Sequence, residues 1–100
     1  MTLYLVHHEH ADDACPGANP AMGQMLLQHL SALNARSYGV SMHGEAVIRG
    51  KHQLYLIVEA DDEGTLRQFM APFAQAGSVE ILPAAKCSEV VARGGCAAVV

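Results

Sequence analysis

A chain of 100 residues, 51% of them hydrophobic, is long enough for a single domain with one core. Six Lys plus Arg against a formal charge of −4 exclude the basic face that nucleic-acid phosphates or an anionic membrane surface require. The apolar opening is too short to span a membrane, and three cysteines are too few for a disulfide scaffold, so a cytoplasmic setting with reduced thiols is expected.

In chain order, Thr2 to about His8 predicts a strand, an almost unbroken apolar run with β-branched and aromatic members. It runs into His7-His8-Glu9-His10-Ala11-Asp12-Asp13-Ala14-Cys15, an unusual density of imidazole, carboxylate and thiol groups for a strand exit. Asp12 to Pro20 has loop chemistry. Asn19 then caps a helix whose first position is Pro20. Met22, Leu26, His29, Leu30 and Leu33 carry that helix to about Asn34 on one apolar face, which Met25 widens.

Ser41 to Arg49 alternates, with Met42, Ala46 and Ile48 on one side and His43, Glu45, Val47 and Arg49 on the other. Gly50-Lys51 turns the chain into Gln53 to Glu59, which completes a hairpin. Asp61 or Asp62 caps a second helix with Leu66, Phe69, Met70 and Phe73 on its apolar side. Pro72 predicts a kink or an early end, and Gly77 a left-handed stop. Ser78 to Leu82 is the last strand, interrupted or ended by Pro83. From about residue 84 a C-terminal extension follows, with Lys86 to Arg93 a short helix or closing strand and Gly94-Gly95 freeing the end.

The order β-α-β-β-α-β predicts an α+β, ferredoxin-like domain with a four-stranded antiparallel sheet under two helices. Leu3-Tyr4-Leu5-Val6, Leu54-Tyr55-Leu56-Ile57-Val58-Glu59-Ala60-Asp61-Asp62 and Val79-Glu80-Ile81-Leu82-Pro83 resemble small uncharacterised proteins of the dimeric α/β-barrel group, over roughly residues 1 to 83. The resemblance implies a homodimer whose sheets pack face to face, and it fixes no activity. Tyr4, Val6, Val47, Tyr55 and Ile57 are expected on the open sheet face, too apolar to stay there without a partner.

The leading functional expectation is a metal site. His8 and His10 share a strand face, a spacing able to hold one ion through two imidazoles. Taking the first and third strands as parallel puts His43 at the same end as a third ligand, with Cys15 or a carboxylate as a fourth and His52 at the far end. Imidazole and thiolate donors suit zinc, copper or nickel. The bland reading is a polar strand end bonded to loop backbone. His29 is expected to be a satisfied core histidine. Two further expectations use the same residues or the tail. One is a small-molecule enzyme or carrier, with His8, His10 or His43 as acid or base and Tyr4 or Tyr55 as polar partner. The other is a sulfur carrier working through Cys96 on its glycine arm. No nucleophile elbow, phosphate loop or zinc-protease helix is present.

Overall fold

The computed structural model describes residues 1–96. Four strands, β1 (Thr2–His10), β2 (Val40–Val47), β3 (Gln53–Ala60) and β4 (Gly77–Ala84), form one antiparallel sheet in the order β2-β3-β1-β4. Alternation decides the faces. Tyr4, Val6 and His8 of β1 and Leu54, Leu56, Val58 and Ala60 of β3 are buried towards the helices. The element and strand orders are those of a ferredoxin-like fold, the α+β class predicted from sequence.

One expectation about the sheet is overturned. β1 and β3 are antiparallel, with Thr2 opposite Ala60 and Glu9 opposite Gln53. The exit of β1 therefore meets the start of β3 and the start of β4, where His10 lies opposite Gly77. A central strand hydrogen-bonded to its antiparallel neighbour must run against it, and both crossovers then connect parallel, non-adjacent strands.

The helix α3 (Glu63–Ala76) supplies the core with Leu66, Phe69, Met70 and Phe73, the four residues its periodicity predicts. Burying each side chain contributes roughly 1.5–3 kcal/mol. Asp62 caps it, its carboxylate accepting from the Thr65 N–H at 2.7 Å, and that bond holds the Asp62 carboxyl below its ordinary pKa. Pro72 does not shorten the helix, which continues for four residues beyond it.

The expected first helix is two. In α1 (Pro20–His29) Asn19 accepts from the N–H groups of Ala21 and Met22, as the Asn-Pro start predicts. Ser31 then ends one helix and opens the next, α2 (Ala32–Ser37): its hydroxyl donates to the Gln28 carbonyl and accepts from the Asn34 N–H. Leu30 and Ala35 reach the core, but Met22, Met25 and Leu33 are exposed, against the expectation that the methionines pack inside.

Gly77 is extended, not left-handed, and begins β4 at once. A glycine is needed because a Cβ there would stand 2.0 Å from the Glu9 carbonyl oxygen. Pro83 lies inside β4, tolerated on an edge strand. A bulge between Met42 and Gly44 shifts the parity of β2, so Ala46 pairs with Tyr55 and Val47 with Leu54. Alternation along β1 and β3 puts Leu3, Leu5, His7, Tyr55 and Ile57, with Leu82 of β4, on the sheet face away from the core; Tyr4 and Val6 alternate to the other side, and the bulge brings Val47 there too. Residues Cys87–Ala92 form α4, a short helix with no buried residue. Among the described residues no helix is long and apolar enough to cross a membrane.

Candidate metal centre

Antiparallel pairing of β1 with β3 brings the histidine-rich exit of one strand onto the entrance of the other. The His10 N–H donates to the His52 carbonyl oxygen at 3.1 Å, which ties the two backbones together beyond the last ladder pair. Their imidazoles meet edge to face, with ring centroids 5.1 Å apart. After β1 the chain makes two single 3-10 turns, Asp12–Ala14 and Pro16–Ala18, and Cys15 sits between them. This loop folds back over the strand end. His10, Cys15 and His52 each offer a ligand atom, and these three atoms lie within 4.8 Å of one another.

The nitrogens of His10 are differentiated. His8 is buried, 2% exposed, and its Nδ1–H donates to the Ser78 carbonyl at 2.9 Å. A carbonyl can only accept, so the neutral ring keeps its lone pair on Nε2, which takes the Nδ1–H of His10 at 3.2 Å. That leaves Nε2 of His10 as a lone pair, and it is buried with no hydrogen-bond partner. Burial is the main reason the His8 pKa is lowered, the Ser78 bond opposing it and His10 and His7 adding to it. The pKa of His10 is lowered by burial and then by His52, with Asp12 opposing. Both rings are thus held in the neutral form that ligates metals.

His52 is oriented from the loop, its Nε2 lying 2.5 Å from Asp12 Oδ1. Ligating histidines commonly bond a carboxylate, carbonyl or water through the other nitrogen, which fixes tautomer and ring angle. Here His10 is fixed through His8 to Ser78, and His52 through Asp12.

The sequence-predicted set of His8, His10, His43 and Cys15 is therefore not the one assembled. His10 and Cys15 meet. His8 stands behind His10 with both ring nitrogens engaged. His43 is at the other end of the sheet, paired to Glu59 at 2.7 Å, six positions along β3 from Gln53 and so about 20 Å away. His52, expected at the far end, takes its place. The strand-direction error caused both changes. Given antiparallel pairing of β1 with β3, the Gly50-Lys51-His52 turn falls beside the exit of β1.

The remaining candidates fall elsewhere. His29 is a satisfied structural histidine, its Nε2–H donating to the Phe69 carbonyl at 2.7 Å and its ring stacked on Phe69. Tyr4 is in the core, and Tyr55 is on the opposite sheet face, stacked on His7 at 4.5 Å. Cys87 and Cys96 are exposed free thiols.

Two cavities adjoin the cluster. One, about 140 Å³, is lined by His10, Cys15 and His52 together with Leu26, Val47 and Phe73. The other, about 250 Å³, lies between α1 and α3 against Met22, Met25, His29 and Pro72. His8, Leu26 and Phe73 line both.

Compared with known families, residues 3–96 match the model described as a domain of unknown function, DUF3303, and the chain belongs to that family. No curated protein and no solved structure matches significantly.

Proposed function

We propose that the protein binds one transition-metal ion through His10, Cys15 and His52, and serves in metal sensing, trafficking or protection. The observation that carries this reading is the convergence of two imidazoles and a thiol on one point. The buried, unpartnered Nε2 of His10 supports it, because a lone pair without a donor is costly unless something occupies it. One thiolate with two imidazoles favours zinc or copper(I), and nickel after them. A reducing, cytoplasmic setting belongs to the same reading, supported by the three free cysteines. So does a homodimer of the dimeric-barrel type, supported by Ile57 and Leu82 exposed on the uncovered sheet face.

Zinc titration of tag-free protein against a competing chromophoric chelator tests the proposal. One equivalent is expected to bind, with His10→Ala, Cys15→Ala and His52→Ala each losing the tight site and His43→Ala retaining it. Equal loss in His43→Ala and His52→Ala, or no site tighter than scattered surface histidines provide, would contradict it. The second reading, a small-molecule carrier, is favoured by the 250 Å³ apolar cavity, which needs no metal.

A further inference from the structure

The metal reading leaves the coordination shell incomplete, and the surroundings of the gap have a definite character. Three protein ligands are one short of the closed tetrahedral shell of a structural zinc site and match the pattern of sites that keep a position for an exogenous ligand. All three line the 140 Å³ cavity. Leu26, Val47, Leu54 and Phe73 give its other walls a mostly apolar surface, with His8, Lys51 and Gln53 also lining it.

Resting on that reading, we infer that a metal held by His10, Cys15 and His52 takes its fourth ligand from a small aliphatic thiol, whose sulfur replaces water and whose tail lies in the apolar cavity. The cavity limits the ligand to a handful of non-hydrogen atoms, on the order of five. A thiolate matches the soft, sulfur-containing donor set better than a carboxylate, a hard oxygen donor. Lys51 adds an attractive charge for an anionic head. On binding, the metal–sulfur bond forms, the S–H proton leaves to solvent, and the displaced water returns to bulk. No electron is transferred.

Cobalt(II) in place of zinc gives separate readouts for the site and its ligand. A sulfur-to-cobalt charge-transfer band that disappears in Cys15→Ser reports the metal site itself; its absence in the unaltered protein would overturn the metal reading and this inference together. Ethanethiol, propanethiol and butanethiol are then titrated into the cobalt protein at fixed pH. Each is expected to intensify the charge-transfer band, with affinity rising about fourfold per methylene as the tail is buried. Similarly, 2-mercaptoethanol should bind at least several-fold more weakly than propanethiol, which has the same length. Val47→Asn, at an exposed wall position, should weaken propanethiol several-fold and leave cobalt affinity unchanged. With the metal site intact, affinity independent of tail length and of the Val47 substitution would overturn the inference, as would thiols that leave the band unaltered.

Discussion

His8 stands between the Ser78 carbonyl and His10, one of the three residues proposed to hold a metal. Its Nδ1–H is fixed on the Ser78 carbonyl and its Nε2 lone pair on His10, so a proton added to His8 would reverse the bond to His10 and put a hydrogen on the nitrogen a metal needs. Burial opposes that proton, which gives the apo protein a pH-dependent stability. The unfolded chain takes up a proton near the ordinary pKa of about 6.5, whereas folded His8 and His10 do so only at lower pH. Their contribution is complete above about pH 6.5 and declines as pH falls through that value towards the lowered folded pKa. Urea midpoints of apo protein are therefore expected to drop between pH 7 and pH 5, and His8→Leu should show a shallower drop from a less stable starting point. A midpoint independent of pH in both proteins would contradict this account of His8. Asp12 holds His52, a second member of the proposed set, through its carboxylate. Asp12→Asn should weaken zinc about tenfold, the usual minimum for losing an orienting carboxylate, without abolishing the site; competition against a chelator measures it.

At the scale of elements, the site depends on β4 lying close against the end of β1. Gly77 makes that approach possible, since a Cβ there would fall 2.0 Å from the Glu9 oxygen and 2.9 Å from the His10 Cα. Gly77→Ala must push the strands apart beside His10. It should cost about 1–3 kcal/mol, the range for forced overpacking, and weaken metal binding. Gly44, with nothing within 4 Å of its Cβ position, is the control, and Gly44→Ala should leave both nearly unchanged. Chemical denaturation of the two variants decides the matter, equal effects being the adverse result. Most elements were legible because local chemistry declares them: Asn19-Pro20 starts α1, Asp62 starts α3, and the 3.6-residue spacing of Leu66, Phe69, Met70 and Phe73 names the core face. The break at Ser31 was not legible, because the apolar spacing of Leu26, Leu30 and Leu33 runs through it while one hydroxyl caps in both directions. Nor was the bulge at His43, which reverses the faces of Ala46 and Val47 through backbone pairing alone. The site was half legible. Residue types marked His10 and Cys15, but their partner depended on strand direction, a property of the pairing of β1 with β3 that no local pattern encodes.

The whole molecule has one covered sheet face and one uncovered face, where Leu3, Leu5, Tyr55, Ile57 and Leu82 lie side by side. Ile57 and Leu82 are 47% and 43% exposed, an apolar patch of the kind a partner covers. Sedimentation at micromolar concentration is expected to show a dimer, and Ile57→Arg a monomer that retains zinc, because His10, Cys15 and His52, the proposed ligands, lie at the strand ends beside the helix-side cavities. A wild-type monomer at those concentrations would contradict the expected assembly and leave the metal site standing. The central claim concerns that site, and X-ray absorption at the zinc edge of the loaded, tag-free protein tests it most directly. The expected spectrum has one sulfur near 2.3 Å and two imidazole nitrogens at about 2.0–2.1 Å, with a fourth light-atom ligand when no thiol is added. A shell of nitrogen and oxygen alone, unchanged in Cys15→Ser and His52→Ala, would contradict the assignment of His10, Cys15 and His52 as the metal ligands.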